Sequence, residues 1–141
     1  MVDPEAIGRR LLELERRLTT LRAIAGAGRE GFLADDALQT QAERHLQVAL
    51  QVALDIATHL IAEETAEVPD SYAGAFAILR RMGIVDEDLA AALRRATGLR
   101  NILVHGYLDV DPERLWEHLG RVDDLEVFAG KVDGYLRARG L

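Results

Sequence analysis

Residues 38–61 read LQTQAERHLQVALQVALDIATHLI, and this run decides the fold. Leu38, Ala42, His45, Ala49, Val52, Ile56 and Leu60 recur at three- and four-residue steps, the spacing of one helix face. Leu46, Leu50, Leu54, Ala57 and Ile61 form a second stripe beside it. Two adjacent stripes give a wide apolar face, so the run predicts a central helix covered by others. Asp35 or Asp36 can cap its start, and Pro69 stops the polar exit that follows Glu64.

Outward from that helix the chain keeps the same period. Asp3-Pro4-Glu5 predicts a helix start, with Asp3 as cap and Pro4 at the first helical position. Ile7, Leu11, Leu14, Leu18 and Leu21 give this first helix its apolar face, and Gly26-Ala27-Gly28 ends it. A loop through Gly31 is expected to lead into the central helix. Beyond it, Asp70 or Ser71 can cap a short third helix with Tyr72, Phe76 and Leu79 on one side, closed by Gly83. Asp86-Glu87-Asp88 then places negative charge on the first turn of a fourth helix, where the helix dipole favours it. Leu89, Leu93, Ala96, Arg100, Leu103 and Tyr107 share one stripe of that helix. Asp111-Pro112-Glu113 starts a fifth, with Leu115, Leu119, Val122, Leu125 and Phe128 as its apolar face, and residues 134–141 are expected to fray. There is no internal repeat or linker. The expectation is one all-α domain over residues 1–141, an antiparallel bundle of about five helices.

Composition narrows the function. Cysteine is absent, which excludes a disulfide framework and thiolate metal sites. No continuous apolar run approaches the roughly 18–20 residues that cross a bilayer, and the first residues lack the basic and apolar regions of a signal peptide. A soluble, cytoplasmic protein without a membrane partner is expected. The formal net charge of −7 argues against DNA or other nucleic acid held by bulk electrostatics, but leaves room for a local basic cleft. Lys131 is the only lysine. Arginine suits two-toothed phosphate contacts, though a coding bias explains the same preference.

The chemistry gathers at Arg100-Asn101-Ile102-Leu103-Val104-His105-Gly106-Tyr107. On a helix Asn101 and His105 share a face, as do Arg100 and Tyr107, whereas Arg100 and His105 stand roughly 140° apart. The two can act on one phosphate if the helix end unwinds near Gly106, or if a twofold dimer brings two such ends together. An imidazole titrating near neutrality moves a proton, and a guanidinium holds a phosphate and stabilises charge developing on it. RNA carries its own nucleophile in the 2′-hydroxyl. These residue types therefore suit phosphodiester cleavage without a metal, and no carboxylate–histidine cluster suggests one. Spacing alone also allows a structural role: His105 complementing a helix C-terminus, Asn101 a satisfied polar group, Tyr107 a core aromatic with a wet tip. Elsewhere, His45 reads as a satisfied core histidine and His59 and His118 as surface positions. Trp116 and Phe128 read as core. Glu43 and Arg44 can pair across the bundle or line the cleft.

The full pattern resembles the HEPN superfamily, and within it the HepT-like toxin branch. Gly98-Leu99-Arg100-Asn101 and Val104-His105-Gly106-Tyr107 carry the signature. Glu43 to Ala49 is similar to the branch's second-helix pattern, and Pro69-Asp70-Ser71-Tyr72 with Phe76 and Leu79 to its third-helix entry. Val110-Asp111 and Trp116 follow as expected, while Gly106 stands where an acidic residue is common. The resemblance implies a metal-independent endoribonuclease toxin that needs no cofactor. It implies a homodimer with a cleft between the motif-bearing helix ends, with Arg100 and His105 catalytic and Asn101 supporting. It also implies an MNT-type nucleotidyltransferase antitoxin that silences the toxin by moving AMP from ATP onto Tyr107. Two other classes compete: a non-catalytic helical subunit that docks on a nucleotidyltransferase or binds nucleotide, and a dimerisation bundle.

Overall fold

A computed structural model of the chain describes residues 2–104 and 110–141. Among them the chain forms α1 (Pro4–Ala25), α2 (Gly28–Leu33), α3 (Asp36–Glu64), α4 (Tyr72–Arg81), α5 (Glu87–Val104), α6 (Pro112–Leu119) and α7 (Asp123–Ala138). The all-α expectation holds. The central-helix expectation holds as well: α3 contributes Ala42, Leu46, Ala49, Leu50, Ala53, Leu54, Ile56, Ala57, Leu60 and Ile61 to the core. α1 packs along α3, α4 packs on α5, and α7 closes against α1, α3 and α5. Ile7, Leu14, Leu18 and Leu21 are the fully buried stripe of α1.

The caps decide the starts. Asp3 Oδ1 accepts from the Glu5 and Ala6 amides at 3.0 and 3.1 Å. Asp35, rather than Asp36, caps α3, and Ser71, rather than Asp70, caps α4. Asp111 accepts from the Glu113 amide at 3.0 Å and starts α6. At the other end of α4, Gly83 has φ +79° and the Ile84 amide donates back to the Leu79 carbonyl at 3.0 Å. A left-handed residue closing a helix in this way is where glycine is favoured.

Four expectations need correction. The stretch after Gly28 is a helix, because fully buried Phe32 packs on Trp116 with ring centroids 5.5 Å apart and orders the turn. The expected fifth helix is two helices, α6 and α7. The Gly120 amide donates to the Glu117 carbonyl at 3.1 Å, and a Cβ there would sit 3.3 Å from that same oxygen. Leu119, Val122 and Leu125 stay buried on both sides of the break, so the apolar pattern alone could not reveal it. The C-terminal stretch does not fray. Leu136 is buried, the Leu141 amide donates to the Leu136 carbonyl at 2.9 Å, and Arg139 pairs with Glu64 of α3 at 2.9 Å. Finally, α3 is more apolar than expected: one 18-residue window reaches a mean hydropathy of 1.2, enough by length and composition alone for a span. Most of that window is buried inside the bundle, as in a core helix.

Candidate active site

Arg100 lies near the end of α5, where α5 meets α3 and α4. Leu93, Leu99 and Leu103 turn into the core, and Arg100 stands half-buried beside them. Its guanidinium is held on two sides. Nε and Nη2 both donate to Gln51 Oε1 of α3, at 2.9 and 2.6 Å. The Tyr72 ring, on the first turn of α4, lies against it at 4.9 Å from centroid to Cζ, a cation–π distance. Gln51 is itself fixed, because its Nε2 donates to Asp55 Oδ1 at 2.9 Å.

Asn101 is exposed, and its Oδ1 lies 3.4 Å from Arg100 Nη1, a long contact. The structure thus brings together two of the expected site residues, Arg100 and Asn101. His105 and Tyr107, with Gly106 between them, lie outside the described residues. Gln51, rather than Arg44, is the α3 residue at Arg100. Arg44 is exposed and lies seven residues earlier, about 10 Å along the helix axis. Glu43, one position before it, is half-buried. Sequence reasoning missed Gln51 and Asp55, and gave Tyr72 only a place on one side of its helix with Phe76 and Leu79. Tyr72 is 39% exposed while those two are buried. The signal for Gln51 was faint: a lone amide inside the apolar run Val48-Ala49-Leu50-Gln51-Val52-Ala53-Leu54.

Arg100 is held differently from the ion-paired arginines of this chain. Arg17, Arg22, Arg81 and Arg139 each pair with a carboxylate. Among the described residues Arg100 pairs with none, and its contacts are an amide oxygen on α3, a second on Asn101, and a ring. A neutral acceptor leaves the full positive charge available to an anion. Among the described residues, no three of His, Asp and Glu converge as metal ligands would.

The other histidines serve the scaffold. Half-buried His45 accepts at Nδ1 from Arg17 Nη1 at 3.0 Å, which makes it a neutral imidazole with its proton on Nε2. Burial, then the charges of Arg17 and Arg44, hold its pKa below the usual imidazole value. His118 is not a plain surface residue. It is half-buried at a cavity of about 40 Å³ between α3, α5 and the α6–α7 turn, and burial, then Arg121, push its pKa down. A histidine whose folded pKa is depressed stays neutral in the fold but takes a proton readily once unfolded. Its contribution to stability is therefore complete above the ordinary value of 6.5 and is lost as pH falls below it. The melting temperature is expected to fall as pH drops from about 6.5 to 5.5, above the range where carboxylates titrate. His118→Gln is expected to flatten that slope, as followed by circular dichroism. An unchanged slope in His118→Gln and His45→Gln together would show that these imidazoles do not drive it.

The family described as "Ribonuclease HepT-like" matches residues 14–132. The chain belongs to this family. Its similarity extends to the tRNA nuclease HepT of Aphanizomenon flos-aquae, 27% identical over 136 residues, covering 96% of this chain and 92% of the other. The mRNA nuclease HepT of Shewanella oneidensis is 28% identical over 123 residues, covering 84% and 90%. Among solved structures, the tri-AMPylated HEPN toxin of Shewanella oneidensis in complex with its MNT antitoxin superposes with a TM-score of 0.83 at 24% identity, covering 91% of this chain and 96% of that one. A toxin–antitoxin structure with AMP-PNP gives 0.85 at 23% identity, covering 92% and 98%. These two establish the shared HEPN fold. Membership of the family makes this chain a HepT-like ribonuclease.

Proposed function

We propose that this HepT-like chain cleaves RNA without a metal, with Arg100 and His105 as the catalytic pair and Asn101 in support. The observation that carries this reading is the guanidinium of Arg100, fixed by a neutral amide and a ring at the end of α5 with no carboxylate among its described partners. In the proposed reaction His105 takes the proton of the 2′-hydroxyl, whose oxygen attacks the adjacent phosphorus. The bond to the 5′-oxygen breaks, that oxygen leaves with a proton, and a 2′,3′-cyclic phosphate remains. Arg100 balances the charge gathering on the phosphate oxygens. Since Arg100 and His105 diverge by roughly 140° on an ideal helix, we place the reaction in the cleft of a homodimer, in the cytoplasm. An MNT-type nucleotidyltransferase serves as antitoxin, as the neighbouring toxin structures suggest for those proteins. It moves AMP from ATP onto the Tyr107 oxygen, releasing pyrophosphate. The added phosphodiester charge and bulk occupy the phosphate site beside Arg100.

Co-expression with such an antitoxin tests the regulatory half. The intact mass is expected to rise by whole AMP units, and Tyr107→Phe is expected to remove at least one of them and restore growth arrest. Suppressed toxicity with an unchanged mass would leave silencing to binding alone.

A further inference from the structure

We propose that Gln51 is the positioning residue for Arg100, and that Asp55 sets the amide so that the guanidinium presents its outer edge to the scissile phosphate. The inference rests on the role of Arg100 proposed above.

A guanidinium has five N–H donors in a planar fork. Two of them, on the Nε–Nη2 side, converge on the single oxygen Gln51 Oε1 at 2.9 and 2.6 Å. That contact fixes both the direction and the plane of the group. The guanidinium carbon Cζ sits over the Tyr72 ring, 4.9 Å from its centroid. Apart from the long 3.4 Å contact of Nη1 with exposed Asn101 Oδ1, what remains for a ligand is the Nη1–Nη2 edge, the pair of donors that matches two phosphate oxygens.

The amide could in principle point either way. Its nitrogen facing Arg100 would set donor against donor. Asp55 Oδ1, 2.9 Å from Gln51 Nε2, accepts only from the nitrogen, so it locks the oxygen towards Arg100. Asp55 therefore steers Arg100 through an intervening neutral group. A carboxylate in direct contact would have anchored Arg100 equally well, but it would have neutralised the charge and competed with the phosphate. α3 supplies both Gln51 and Asp55 one turn apart, on the long central helix of the fold, so the pair is held rigidly.

The test is single-turnover cleavage of end-labelled bulk tRNA and of a mixed-sequence oligoribonucleotide by the purified full chain. Gln51→Met keeps length and apolar bulk but cannot accept the two bonds. The rate constant of the chemical step is expected to fall about 10- to 100-fold, the scale of a misplaced catalytic group, while the half-saturating protein concentration changes less than about threefold. Asp55→Ala is expected to reproduce a smaller loss. In an Arg100→Lys background, where an ammonium has no such fork, Gln51→Met is expected to add almost nothing, because the two changes remove the same interaction. A merely structural Gln51 predicts the opposite, equal losses in both backgrounds with a lowered melting temperature. Gln51→Met within twofold of the parent rate, or an undiminished loss in the Arg100→Lys background, overturns the inference. If Arg100→Ala itself cleaves like the parent chain, the role of Arg100 falls and the inference with it. If Arg100→Ala is inactive while Gln51→Met is not, the inference alone falls.

Discussion

His105→Ala is expected to cleave RNA about 100- to 10,000-fold more slowly than the parent chain, the usual contribution of a positioned acid–base group. Arg100→Ala is expected to lose about 100- to 1,000-fold, the scale of one donor removed from a developing oxyanion. Neither change should unfold the protein. Arg100 is half-buried, its neighbours Leu99 and Leu103 carry the packing, and its removal frees Gln51 to meet water. Growth arrest on expression is expected to vanish for both variants, with soluble yield preserved. The double variant should be little worse than His105→Ala alone, because groups acting in one transition state do not contribute independently. Two variants as toxic as the parent chain, and cleaving within tenfold of it, would remove the catalytic assignment. Inactive variants with melting temperatures far below the parent's would instead point to a structural role.

Much of this architecture is written in local patterns. Asp3, Asp35, Ser71 and Asp111 cap helices because a short polar side chain there satisfies an amide that the helix leaves open. The double stripe on α3 shows its central place for the same reason that it is buried. What escaped reading depends on distance in sequence. The contact of Arg100 with Gln51 joins residues 49 apart, and nothing in the spacing of either helix reveals it. Phe32 of α2 meets Trp116 of α6, a partner more than eighty positions away. The break at Gly120 is hidden because the apolar period runs on across it. Arg100 and Asn101 stood out by their residue types beside His105 and Tyr107, whereas a glutamine in an apolar run looks like solvent-facing polarity until its partner arrives from another helix.

Phe76→Ala is expected to have the largest effect on stability, about 3–5 kcal/mol, the usual range for an aromatic removed from a packed core. Phe76 is 2% exposed, and its ring meets that of fully buried Phe128 edge to face, with centroids 6.0 Å apart and planes at 86°. The pair joins α4 to α7, and the site around Phe76 is bounded by Leu50, Ala53 and Leu54 of α3 and Leu93 of α5. Four helices meet there, so the surroundings cannot collapse without moving a helix, and the cavity term is fully felt. Against a total of about 5–15 kcal/mol, this loss takes the chain close to unfolding. The melting temperature is expected to drop by roughly 10–20 °C, and a drop under about 5 °C would mean that α4 repacks freely. The consequence for activity follows from position. Tyr72 lies one turn before Phe76 on the same helix, and its ring backs Arg100. Anchoring α4 through Phe76 thus keeps Tyr72 against the guanidinium. Well below its melting point Phe76→Ala is expected to keep measurable cleavage with a weakened rate, because Gln51 still holds the other side of Arg100. His105→Ala should show the reverse, a normal melt with almost no cleavage. The two variants separate loss of the scaffold from loss of the chemistry.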